Sequence, residues 1–181
     1  MNDPAPRWLS DAEQRTWRAW LEVMRLLPAK LEDRLHERHS LNLTDYQVLV
    51  ELSESEEGRL RMTELANRTS LSKSRLSHQI GRMEKASLVE RQECPSDRRG
   101  AFAVITDQGW ALLREAAPGH VEDVRELFID LMSADEVAIV GAAMGIIAEK
   151  LRQSPGIGCA NAAAEIRDAA GEGPADDLVA G

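Results

Sequence analysis

The chain is 181 residues long, with 22 Lys and Arg against 31 Asp and Glu, a net charge of −9. Its 43% apolar and 29% charged residues are those of a globular protein that buries a core without staples, sized for one domain or one domain plus a dimerisation layer. No apolar run nears the roughly 20 residues of a membrane span; the N-terminal stretch MNDPAPRWLSD has no basic start followed by an apolar run and does not read as a signal peptide, and two cysteines, Cys94 and Cys159, make no disulfide framework, so a cytoplasmic location is expected.

Residues 1–9 are a Pro-containing lead-in, and Ser10 with Glu13 makes an S-x-x-E capping box. Trp17, Trp20, Leu21, Met24, Leu27, Leu31 and Leu35 follow, mostly in steps of three and four. They predict an amphipathic helix to about Arg38, kinked at Pro28. Residues 39–42 read as a loop. Thr44 and Gln47 predict a second capping box, for a helix whose core face is Tyr46, Val48, Leu49 and Leu52. After a polar connection, Arg59–Arg61 is a candidate short strand that pairs with a later hairpin. A short third helix is predicted over 63–68, then a turn at 69–71 with Ser70 where Gly is common.

Ser72 is a good N-cap for a fourth helix, buried along Leu76, Ile80 and Met83. Residues 88–93 and 101–105 predict two strands around a hairpin tip at 95–100, bracketed by Pro95 and Gly100. Thr106 then caps a long helix with Leu112, Leu113, Val121, Val124, Leu127, Phe128 and Leu131, bent at Pro118 and Gly119. Ser133 and Glu136 open a last helix. Its seam of Val140, Met144, Ile147 and Leu151, with Gly141, Ala142 and Ala143 beside it, suits packing on another helix. From 154 onward the composition falls to Ala, Gly and acids, which predicts a weakly ordered tail over 154–181.

Charge singles out the middle of the chain. Between Gly58 and Ala101 there are ten basic residues and five acidic ones, an excess of five in a chain of net −9. One basic surface on an acidic body is the electrostatic footprint of a phosphate-backbone binder. The outer faces of the fourth helix add donors and acceptors suited to base edges and phosphates.

The order of three helices, a polar basic helix, a hairpin and two long helices resembles the MarR family of bacterial transcription regulators over roughly residues 12–152. The resemblance is carried by Leu-Ser-Lys-Ser-Arg-Leu-Ser at 71–77, Leu-Val-Glu-Arg at 88–91, Asp-Arg-Arg at 97–99 and Ile-Thr-Asp-Gln-Gly at 105–109. It implies a mainly α fold with a small β-hairpin, occupying 10–153. A winged helix-turn-helix DNA-binding lobe would span 44–105, and the long helices at 10–38 and 106–153 would dimerise. The implied partners are a second copy, double-stranded DNA with a pseudo-palindromic operator, and a small-molecule effector, with no cofactor and no membrane. The implied activity is repression, released by a small and often aromatic ligand. The implied DNA-binding residues are Ser72, Lys73, Ser74, Arg75, Ser77, His78 and Arg82 on the recognition helix, then Arg91, and Asp97, Arg98 and Arg99 on the wing. Asp97 would brace the hairpin while Arg99 enters the minor groove, where a narrow groove favours a weakly hydrated guanidinium.

Candidate effector-lining residues are Trp17, Trp20, Met24, His36, His39 and Tyr46, with Arg18 or Arg25 available for a carboxylate; the competing reading is that the apolar ones are core or dimer interface. Cys94 lies at the foot of the wing without a resolving cysteine nearby, which disfavours a redox switch. His36 and His39 lack the further ligands of a zinc site, and no metal is expected. No G-x-S-x-G, phosphate loop, H-E-x-x-H or dinucleotide fingerprint occurs, so an enzyme is not expected. The alternative function is a winged-helix protein-interaction module without specific DNA binding, favoured by the overall acidity.

Overall fold

A computed structural model describes residues 5–94 and 97–153, leaving out the side chains of 94 and 97–99. In chain order these residues form helix α1 (Asp11–His39), helix α2 (Leu43–Ser53), strand β1 (Arg59–Arg61), helix α3 (Met62–Arg68) and helix α4 (Lys73–Lys85). Strands β2 (Val89–Cys94) and β3 (Asp97–Ile105) follow, then helices α5 (Asp107–Leu127) and α6 (Ala134–Gln153). The predicted tail at 154–181, Cys159 included, and positions 95 and 96 of the hairpin tip lie outside the described residues.

The caps explain where the helices start. Ser10 and Glu13 form the expected capping box of α1, and Ser133 and Glu136 form another ahead of α6, with Ser133 N donating to Glu136 Oε2 at 2.8 Å. At α2 the expected Thr44–Gln47 box is not used. Asn42 is the cap instead: its Oδ1 accepts from Asp45 N at 2.7 Å, so the helix begins at Leu43. α1 continues as one element through Pro28, and α5 through Pro118. α5 is shorter than the apolar spacing suggested. It ends at Leu127, and Ile129–Leu131 form a separate 3-10 turn.

The hairpin is part of a three-stranded antiparallel sheet in the order β1-β3-β2. Leu60 pairs with Ala103, and Arg91 with Ala103 on the other side. One face of this sheet supplies Leu60, Val89, Ala103 and Ile105 to the core. Those side chains meet Val48, Leu49 and Leu52 of α2, Leu65 of α3 and Leu76, Ile80 and Met83 of α4, all fully or almost fully buried. The core therefore sits inside the lobe of 41–116, with Leu35 of α1 and Leu113 and Ala116 of α5 closing it.

The outer helices contrast with this. On α1 only Leu31 and Leu35 are buried, and α6 buries nothing. Trp17, Trp20, Leu21 and Met24 of α1 and Ile139, Ile146, Ile147 and Leu151 of α6 are exposed on the single chain, and α6 turns away from the α5 segment by 102°. No single helix among the described residues is long and apolar enough to cross a membrane.

Candidate nucleic-acid interface

The turn into α4 is set by its backbone. Thr69 Oγ1 donates to Leu65 O at 2.7 Å, Leu71 N donates to Ala66 O at 3.0 Å, and Ser70 takes the left-handed conformation at φ 54°. This is the closed end of a Schellman-type cap, which Gly usually occupies. Ser72 then caps α4, its Oγ accepting from Arg75 N at 3.3 Å and lying 3.2 Å from Ser74 Oγ.

Burial of Leu76, Ile80 and Met83 fixes how α4 is rotated. Lys73, Ser74, Arg75, Ser77, His78 and Arg82 are left exposed, with Ser72 half-buried at the start. The structure thus gathers the seven recognition-helix candidates on the open side of one helix. Among the described residues no ion pair holds Lys73 or Arg75. A cation without an internal partner gives up no protein contact when it meets a phosphate.

Two of the cations are tied into the protein. Arg82 donates to Gln79 Oε1 and lies 3.8 Å from Asp45 Oδ1 of α2, and Gln79 Nε2 donates to the same carboxylate. Burial pushes the Asp45 carboxyl above its ordinary value, against the pull of Arg82 and of the hydrogen bonds from Asn42 and Gln79. Gln79 is a buried polar residue that spacing alone assigns to an outer face. Arg91 reaches back from β2 to α4, where its Nη2 donates to Ser77 O at 2.6 Å and its Nε lies 3.5 Å from Glu84 Oε2. The side chains of Asp97, Arg98, Arg99 and Cys94 lie outside the described residues.

The effector candidates are not brought together. Trp17, Trp20 and Met24 are exposed on the first half of α1. His36 is exposed near its end, His39 is half-buried 3.6 Å from Glu115, and Tyr46 is buried on α2. Along a straight helix, the 19 residues from Trp17 to His36 span about 28 Å, so the two ends cannot line one small cavity of this chain. No spacing in the sequence points to the charged knot between α1 and α5. Asp123 is buried, and it accepts from Arg34 Nη1 at 2.8 Å and from both terminal nitrogens of Arg38. Burial alone would raise the Asp123 carboxyl, but the hydrogen bonds from Arg38 and Arg34 outweigh it and hold the group below the usual range. Next to it, His120 packs against Tyr46 in a tilted contact with ring centroids 4.4 Å apart, and its buried Nδ1 has no hydrogen-bond partner among the described residues.

Comparison with known proteins agrees with this geometry. The model of the MarR family matches residues 39–100. AbsC, a MarR family transcriptional regulator from Streptomyces coelicolor, is 52% identical, superposes with a TM-score of 0.78 and covers 82% of this chain and 100% of its own. The chain belongs to the MarR family. Sco3205, a MarR family transcriptional regulator from the same organism solved in complex with DNA, is 43% identical with a TM-score of 0.79, over 83% of this chain and 95% of its own. The HTH-type transcriptional regulator MhqR of Bacillus subtilis (strain 168) is 30% identical over 100 residues, 55% of this chain and 67% of that protein. Membership makes the protein a DNA-binding transcription regulator of the winged helix-turn-helix type and not an enzyme.

The MarR-type segment at 105–109 now has a physical reason. Thr106 Oγ1 accepts from Gly109 N at 3.0 Å, capping α5, and donates to Ser87 O at 2.6 Å, tying that cap to the turn after α4. At Gly109 an added Cβ would collide with the backbone carbonyl of Leu88. Glycine is needed there for close approach, not for an unusual φ.

Proposed function

We propose that the protein acts as a homodimer that binds a pseudo-palindromic duplex operator sequence-specifically, represses transcription there, and is released by a small ligand. In this reading α4 enters the major groove and the wing, with Asp97, Arg98 and Arg99, enters the adjacent minor groove. The observation that carries it is the outward row Lys73, Ser74, Arg75, Ser77 and His78 on a helix locked in rotation by Leu76, Ile80 and Met83. Sco3205, which this chain resembles over most of its length, was solved in complex with DNA.

Dimerisation is supported by the bare helices. Ile139, Ile146, Ile147 and Leu151 of α6 are 69%, 73%, 58% and 53% exposed, and Trp17 and Met24 of α1 are also more than half exposed. Between α1 and the end of α5 lies a groove of about 490 Å³, whose lining includes Val23, Leu26, Leu27, Leu127, Phe128 and Leu131. Burying such a surface favours association at roughly 25 cal/mol per Å² before the costs of ordering, and a second copy supplies matching apolar helices. We assign 10–38 and 106–153 to this layer and 44–105 to the DNA-reading lobe.

Release by a ligand needs a joint that the ligand can bias. Tyr46 of the lobe meets His120 of α5 at that joint, and among the described residues nothing bonds His120 Nδ1, which leaves it a hydrogen-bonding position for a ligand. DNase footprinting of the region upstream of the protein's own coding sequence tests the reading. Two protected half-sites about one helical turn apart are expected; protection of a single half-site, or none with sequence preference, contradicts it.

A further inference from the structure

Strand β2 is the edge of the wing sheet, since the order is β1-β3-β2. An edge strand presents backbone N–H groups that no neighbouring strand satisfies. At Arg91 that group is taken up by the recognition helix. Arg91 N donates to Glu84 Oε1 at 3.1 Å, while the Arg91 side chain turns back along the same helix. Its Nη2 donates to Ser77 O at 2.6 Å and to Ser77 Oγ at 3.3 Å, and its Nε lies 3.5 Å from Glu84 Oε2. One residue of the wing therefore grips α4 at two places, Ser77 and Glu84, separated by about two turns. Between them stands Gly81, where a Cβ would sit 3.9 Å from Arg91 Nη2, so the guanidinium lies across the helix surface.

We infer that Arg91 is a positioning residue, which with Glu84 fixes the wing on the recognition helix and sets the angle at which the two enter neighbouring grooves. Two hydrogen bonds from the guanidinium and one from the backbone give a defined geometry, not a loose surface pair. The brace lies about one-third exposed at both side chains, open enough to be near DNA yet engaged within the protein. Its function rests on the proposed reading of this lobe as the operator-binding surface.

Glu84 makes the inference testable. If Arg91 were a phosphate contact, Glu84 would only oppose DNA, and Glu84→Gln would tighten binding. If Glu84 holds the wing, Glu84→Gln weakens specific binding although it removes a negative charge from a DNA-binding face. The experiment measures operator and scrambled-duplex affinity against salt for wild type, Arg91→Met, Glu84→Gln and the double variant, with hydrogen exchange of the 89–93 amides on the same proteins. We expect each single variant to lose about tenfold in operator affinity at an unchanged salt slope, the double variant to lose little more, and the 89–93 amides to exchange faster in all three. A salt slope lower by about 0.9 in Arg91→Met, with tighter binding by Glu84→Gln, overturns the inference. So does unchanged exchange at 89–93. If wild type itself shows no preference for operator, the operator reading fails, and the exchange data alone decide whether the brace exists.

Discussion

Asp123 on α5 and Arg38 on α1 meet in a two-point contact, Nη1 to Oδ2 at 2.8 Å and Nη2 to Oδ1 at 2.9 Å, with Arg34 adding a third bond at 2.8 Å. This fixes the end of the first long helix against the fifth. Asp123→Asn keeps the shape but leaves two arginines facing a neutral amide. The expected loss is about 2 kcal/mol of unfolding free energy, because hydrogen bonds to charged groups are among the stronger ones. The same contact gives an acid dependence. The Asp123 carboxyl is held below its ordinary value of 3.8, so its contribution is fully present above that value and is lost as pH falls below it. Urea unfolding at pH 6 and pH 3 checks this: the gap between wild type and Asp123→Asn should shrink at the lower pH.

His120 has the opposite sign. Its burial lowers the imidazole below 6.5, with Asp123 pulling only partly the other way, so the folded protein prefers it neutral. The unfolded chain takes up a proton first as pH falls through 6.5, and stability therefore drops below that pH. His120→Phe keeps the ring on Tyr46 and removes the titration. Its unfolding midpoint should vary less between pH 7 and pH 5.5 than that of the wild type.

Gly109→Ala should be among the most damaging single-methyl changes in the lobe. The added carbon meets the Leu88 carbonyl oxygen and Ile105 Cγ1, and backbone cannot move away as a side-chain tip can. Overpacking of this kind costs roughly 1–3 kcal/mol. Thr106→Ala removes the cap and leaves the Ser87 carbonyl without its donor, costing about 1–2 kcal/mol. Thermal melts of both variants check the order, with Gly109→Ala expected at or below Thr106→Ala.

The periodic apolar residues read correctly wherever a single chain supplies both sides of the contact. Leu76, Ile80 and Met83 on α4, and Val48, Leu49 and Leu52 on α2, are buried as their spacing implies. On α1 the same periodicity is buried only at Leu31 and Leu35, while Trp17, Trp20, Leu21 and Met24 stay exposed; on α6 Val140 and Met144 are half-buried and Ile147 and Leu151 exposed, because spacing shows that a face is apolar and not which molecule covers it. Polar recognition was less legible. Gln79 is buried beside Ile80 although no spacing marks it as a core position, because its side chain binds Asp45, 34 positions away. Likewise, no local pattern announces that Arg91 folds back to Ser77 or that Arg34 and Arg38 converge on Asp123. The Asn42 cap is not legible locally because Thr44 with Gln47 also satisfies the local rule; only the backbone decides between them.

Ile146 tests the dimer. It is 73% exposed on α6 in one chain. Ile146→Asp places a charge where the proposal needs an apolar contact, and should shift the sedimenting species from twice 20.0 kDa toward 20.0 kDa. A wild-type protein that already sediments as a monomer at micromolar concentration contradicts the dimer. Operator affinity should fall with dimerisation, since one lobe alone contacts only one half-site.

The most direct test of the account is fluorescence anisotropy with the duplex upstream of the protein's own coding sequence, against a scrambled duplex of equal composition and length at 150 mM salt. Binding at least a hundredfold tighter to the native duplex is expected, reduced by Arg75→Ala together with a lower salt slope. Equal weak binding to both duplexes would contradict sequence-specific recognition by α4 at this site.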